Sequence, residues 1–177
     1  MKIAIIAGSN RRSSTSTRMC LFIGERLSSL GHTVELWDLY RKPLPMYDPD
    51  EESVGEAAAE LGAVVAEADA VVLASPEYHG SVSGVFKNAL DHLDTEHFDG
   101  KMVLSVSSAG GAVGVSTLQQ MQTIVRNVHG VNCPEWISIG GDQRRFDENG
   151  EPAHAAVRAR VERVLNAFVS LASKLRT

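Results

Sequence analysis

Cysteine is scarce in this sequence. Cys20 and Cys133 are far apart and form no C-x-x-C pair, so neither a disulfide framework nor a cysteine metal site is expected. The histidines show no ligand spacing either. No apolar run approaches the roughly 20 residues that a membrane helix needs. The first residues read as a strand, not as a charged stretch ahead of an apolar one, so no signal peptide and a cytoplasmic location are expected. A net charge of −5 argues against nucleic acid as a partner. Two phosphate-binding signatures are also missing. No G-x-G-x-x-G follows the first apolar run, and no G-x-x-x-x-G-K-[ST] occurs anywhere, which excludes the usual dinucleotide fingerprint and the ATP or GTP P-loop. A receiver domain needs paired carboxylates at the end of its first strand, where this chain has Ala7, Gly8 and Ser9.

What is present begins with KIAIIA at 2–7, running directly into GSNRRSSTST at 8–17. An apolar, β-branched run of this kind reads as a buried strand, and the residues after 14 read as a helix. The first N–H groups of a helix have no intrahelical partner, and the macrodipole adds partial positive charge there. Hydroxyls can donate to phosphate oxygens, and Arg11 or Arg12 can fork onto two of them. Helix capping alone needs one or two such residues. The loop at 9–17 therefore reads as a site for a single terminal phosphomonoester.

At 177 residues the chain is expected to form one domain, residues 1–177. Strands are expected at 2–7, 32–39, 69–75, 101–108 and 132–140, the last broken near Pro134. Helices are expected at about 15–30, 56–68, 82–93, 116–129 and 153–175. Five β-α units with continuous apolar strands imply an α/β fold, a parallel sheet with helices on both faces. Two arrangements fit: a three-layer flavodoxin-like fold of strand order 2-1-3-4-5, and a truncated dinucleotide-binding half. Both place a ligand beyond the carboxyl ends of the strands at the switch point. In the flavodoxin order that point gathers the loops after strands 1, 3 and 4. These are the chemically unusual loops of this chain: 8–17, 76–81 and 107–114.

The second loop opens SPEYHGSVSGVFKNALDHL at 75–93. Pro76 fixes its own φ and keeps the preceding residue extended. Glu77, Tyr78 and His79 then cross the sheet edge with backbone N–H and C=O groups available to a flat heteroaromatic ring, and Tyr78 can stack on it. Lys87 and Asp91 stand four apart and read as a surface ion pair. RRF at 144–146 reads as solvated loop charge rather than as a contact to a nicotinamide cofactor's phosphate, and His79 as a hydrogen-bonding loop residue rather than as a proton donor.

GSNRRSSTST together with SPEYHGSVSGVFKNALDHL resembles the NADPH-dependent FMN reductase family, including its azobenzene-reductase and its quinone- and chromate-reducing members. SSAGGAVGVSTLQQMQTIVRNVHGVNCPE at 107–135 is similar to the azoreductase branch. Small departures are His79 where many relatives have Asn, Ser83 where many have Pro, and Phe86 where Leu is commoner. The resemblance implies that Ser9, Arg11, Ser14, Thr15 and Ser16 hold the FMN phosphate. It implies that Pro76, Glu77, Tyr78 and His79 contact the isoalloxazine, largely through backbone. Ser108, Ala109, Gly110 and Gly111 would line the other edge of the ring. It further implies ping-pong hydride transfer from NADPH or NADH through the flavin to a small-molecule electron acceptor such as a flavin, a quinone or an azo compound. No catalytic acid, base or metal is then required of the protein. A homodimer or homotetramer is implied as well. The alternative reading is a flavodoxin-type one-electron carrier, for which 6% aromatic content and an arginine-bearing loop are unusual.

Overall fold

The computed structural model describes residues 1–51 and 55–176. In chain order its elements are β1 (Lys2–Ala7), α1 (Thr15–Ser29), β2 (Thr33–Asp38), α2 (Glu56–Glu67), β3 (Ala70–Pro76), α3 (Gly84–Asp91), α4 (Thr95–Phe98), β4 (Met102–Ala109), α5 (Val115–Asn127), β5 (Val131–Asn132), β6 (Ile137–Gly140) and α6 (Ala155–Leu175). The strands pair in the order β2-β1-β3-β4-β5, with β6 also on β4, and every pairing is parallel. This is the flavodoxin-like order.

The strand sequences account for that sheet. β3 and β4 are buried along their whole length, and β1 after Lys2, as strands covered on both faces must be. Side chains alternate between the two covers. Ile3, Ile5, Val72, Ala74 and Leu104 face α1 and α6, packing with Phe22, Ile23 and Phe168. Ile6, Val71, Leu73 and Val103 face the other layer, packing with Leu61, Phe86, Leu118 and Met121. A buried phenylalanine such as Phe86 contributes about 1.5–3 kcal/mol.

Apart from other one- or two-residue shifts at element ends, those of α5 and α6 included, the differences from the sequence expectation are these. The expected last strand is two: Val131–Asn132 pairs with Met102 and Val103, while Ile137–Gly140 pairs with Val106 to Ala109. Cys133 donates its N–H to Val103 O (2.8 Å), and Pro134, with no N–H, ends the ladder. α3 starts two residues later than the apolar pattern, because the Ser83 hydroxyl accepts from Phe86 N as its cap. Residues 95–98 add a one-turn helix closed by reciprocal Asp94 and His97 contacts.

Candidate functional site

The site is assembled where β1, β3 and β4 end side by side. Ala7 lies opposite Ala74, and Pro76 opposite Ser108. Gly8 begins the first loop by donating its N–H to Ala74 O (2.7 Å). A Cβ at Gly8 would stand 2.4 Å from a Phe86 ring carbon and 2.6 Å from Ala74 O, so only glycine lets the chain leave β1 this closely across β3. Ser83 holds the same turn from the other side, donating its hydroxyl to Gly8 O (2.5 Å). Ser83 N donates to Ser75 Oγ (2.9 Å), whose hydroxyl in turn donates to Pro76 O (2.8 Å). The first two loops are thus tied through two serines.

Beyond Gly8 the hydroxyls gather. Ser9 is fully buried and its Oγ accepts from Arg11 N (3.2 Å). Ser14 caps α1, its Oγ accepting from Thr17 N (3.1 Å). The same oxygen lies 3.1 Å from Ser16 Oγ and 2.8 Å from Thr17 Oγ1. Ser14, Ser16 and Thr17 are buried and Thr15 half-buried, whereas Arg11 and Arg12 are exposed. The first turn of α1 carries no acidic residue. Oriented hydroxyls at a helix N-terminus, two arginines and no carboxylate are a donor set suited to a phosphate dianion.

The second loop is a tight hairpin turn. Tyr78 and Ser81 exchange both backbone hydrogen bonds (3.0 and 3.1 Å). Between them His79 and Gly80 have φ of 53° and 74°, the two positive values of a type I′ turn. Histidine enters this region more readily than most residues. The consequence corrects the sequence reading. Glu77 N donates to Ser108 O (2.8 Å) and Tyr78 N to Ser81 O, so neither amide is open to a ligand. Among the described residues, the open donors of this turn are the amides of His79 and Gly80. Tyr78 stands at the rim with 39% of its surface exposed.

Glu77 has a role that sequence reasoning missed. Its carboxylate accepts the N–H of Thr117 (3.1 Å), the third residue of α5. α5 starts from Gly114, which has no side chain to cap it, and Glu77 supplies the anion that a helix N-terminus favours. The one available signal was this uncapped glycine start.

The third loop follows β4. Ser108 and Ala109 are buried, and Gly110 and Gly111 exposed. Ser138 on β6 holds the loop's far end, its Oγ accepting from Gly114 N (2.9 Å) and lying 3.3 Å from Ser107 Oγ. Gly140 lies directly beneath the loop. A Cβ there would be 2.2 Å from Gly111 O and 2.3 Å from Ala112 O. Thr117 Oγ1, buried in the first turn of α5, has no partner among the described residues.

Lys87 and Asp91 form an ion pair (2.5 Å) on the outer face of α3, and Arg145 pairs with Asp142 (3.1 Å). Among the described residues no cluster of His, Cys, Asp or Glu could hold a metal ion, and no helix is long and apolar enough to cross a membrane.

Known proteins share this fold. The fold superimposes with a TM-score of 0.84 on FerB, a flavoenzyme NAD(P)H:(acceptor) oxidoreductase from Paracoccus denitrificans, covering 98% of this chain and 97% of that one at 21% identity. A flavodoxin from the domain Archaea superimposes less closely, with a TM-score of 0.65 at 16% identity over 100% of both chains. In sequence, an FMN-dependent NADPH-azoreductase of Staphylococcus aureus is 32% identical over 155 residues, 85% of this chain and 82% of that protein. Residues 1–144 match the family described as NADPH-dependent FMN reductase. With about four fifths of its length and all three site loops inside that match, the chain belongs to the NADPH-dependent FMN reductase family.

Proposed function

We propose that the ledge at the ends of β1, β3 and β4 holds FMN, with its phosphate in the first loop and its ring against the other two. The protein is an FMN-dependent NADPH oxidoreductase. Ser9, Arg11, Ser14, Thr15 and Ser16 surround the phosphate. Pro76, Glu77, Tyr78 and His79 flank the ring on one side and Ser108, Ala109, Gly110 and Gly111 on the other. Within the 76–79 stretch the hydrogen bonds to the ring come from the His79 amide, joined by that of Gly80, because Glu77 N and Tyr78 N are engaged inside the protein. Bound FMN supplies hydride acceptance from NADPH and electron delivery to the second substrate. The chain's own residues anchor, orient and hold the loops in register. Quinones and azo compounds are the acceptor classes, in line with the azoreductase relative.

The observation that carries this reading is the buried hydroxyl cluster under two arginines at the start of α1, with no carboxylate in that turn. Arg11→Ala tests it. A charge-assisted phosphate contact contributes about 1.5–3 kcal/mol, so FMN affinity, followed by flavin fluorescence, should fall at least about tenfold. Undiminished FMN retention would overturn the loop assignment. NADPH oxidation by purified holoprotein with a quinone or an azo dye tests the activity, and a carrier without its own substrate would leave NADPH unconsumed.

A second copy of the chain is proposed to wall the flavin, in a homodimer or homotetramer. Tyr78 and Val113 are exposed on the second and third loops, Val115 at the start of α5 and Met46 on the segment after β2, 82% open in the last case. Sedimentation of the holoprotein as a monomer would refute this. The 177 residues act as one domain, every described strand joining one sheet. The cytoplasm, where NADPH is available, is its proposed location.

A further inference from the structure

An open bay of 1110 Å³ lies beside the first loop, at the carboxyl end of the edge strand β2. It borders the first loop, sharing Arg12, Ser13 and Thr17 with it, and lies outside the two ring-binding stretches. Arg12, Arg18, Arg41 and Lys42 line it against a single carboxylate, Asp38, in a chain whose net charge is −5. Not all of these cations are equally free. Lys42 pairs with Glu60 and its Nζ lies 4.6 Å from the centre of the Trp37 ring. Arg18 lies 4.7 Å from the centre of the Phe146 ring. Arg12 has no partner among the described residues. Arg41 touches Asp38 at 3.7 Å with 83% of its side chain exposed. Asp38 is already engaged, its other oxygen accepting from Tyr40 N (3.0 Å). The bay also has apolar walls in Tyr40 and Leu21, 43% and 51% exposed.

We propose that this bay receives the adenosine 2′-phosphate end of NADPH, with Arg41 pairing the phosphate and Tyr40 and Leu21 flanking the adenine. The inference rests on the oxidoreductase reading above. Guanidinium groups match phosphate geometry in pairs, and an aromatic face accepts a flat base. The position suits the task. Asp38 closes β2 and Arg41 lies against it. Neighbouring strands are about 4.8 Å apart, and β2 is separated from β4 by β1 and β3. An extended dinucleotide spans that distance from the bay to the ring-binding loops.

Arg41→Glu in the holoenzyme tests the proposal, with Arg41→Lys as the conservative control. Calorimetry uses adenosine 2′,5′-bisphosphate as the probe and 5′-AMP for comparison, and steady-state kinetics compare NADPH with NADH. Loss of one charge-assisted pair should weaken bisphosphate binding and raise KM for NADPH about tenfold. kcat, KM for NADH, 5′-AMP binding and FMN content should not change, and Arg41→Lys should recover most of the effect. Equal losses with both nucleotides, no loss at all, or release of FMN would overturn the assignment. Should the wild-type holoprotein oxidise neither nucleotide, the oxidoreductase reading fails separately. The bay then stands if Arg41→Glu still weakens bisphosphate binding, and falls if the bisphosphate does not bind.

Discussion

His79 sits at φ 53° with Gly80 at 74° beside it, and on the function proposed above its backbone conformation, not its imidazole, serves the site. His79→Asn should therefore leave NADPH oxidation and its pH profile unchanged, since asparagine enters the left-handed region readily. His79→Val should destabilise the protein by about 1–2 kcal/mol and weaken FMN, measured by urea denaturation and flavin titration. A proton-donor role would instead make the asparagine variant slow. Glu77 makes an opposite case, where the side chain matters. Glu77→Ala removes the one acceptor that Thr117 N has among the described residues and should cost about 1 kcal/mol in the same denaturation assay. The hydroxyl-rich first loop was legible in the sequence because all its donors are contiguous. Glu77 as the cap of α5 was not, because that contact joins residues 40 apart and the helix start shows only a glycine. The closed amides of Glu77 and Tyr78 escaped for a similar reason. Their partners, Ser108 and Ser81, are fixed by strand register and turn type, which composition does not reveal.

At the scale of elements, β6 supports the third loop from below. Gly140 touches the carbonyls of Gly111 and Ala112, so closely that a methyl group has no room. Gly140→Ala must push the loop outward because backbone cannot yield as a flexible side chain does. Overpacking of this kind costs about 1–3 kcal/mol, and flavin affinity should fall with it. A variant with wild-type stability and FMN binding would show that the loop is not set by this contact. The other elements were mostly readable in advance. The apolar runs marked β1, β3 and β4 because strands covered on both faces have no polar side. The division into β5 and β6 was visible at Pro134, yet which β4 residues each part would meet was not. The short α4 has too few residues for an apolar period to register. α3 starts late because Ser83 is engaged three ways, with Ser75, Gly8 and Phe86.

For the whole molecule, the order β2-β1-β3-β4-β5 gathers the loops after β1, β3 and β4 on one edge, and a ligand held as proposed would touch segments from residue 9 to residue 111. Binding should therefore stabilise the fold as a unit. FMN at about 100 times its Kd should add about 2.7 kcal/mol, raising Tm by about 5–10 °C for a chain of this size. A thermal shift below 2 °C at that excess would mean the flavin contacts a detached or locally unfolded part. The turn at Tyr78–Ser81 bears on how such binding proceeds. It is closed by its own pair of hydrogen bonds, so the two outward amides of His79 and Gly80 are immobilised before any ring arrives. Little ordering entropy remains to be lost there when the complex forms. Hydrogen exchange at 78–81 should accordingly be alike in flavin-free and flavin-loaded protein except at those two amides, which makes this corner a preformed template and leaves adaptation to the glycine loop opposite.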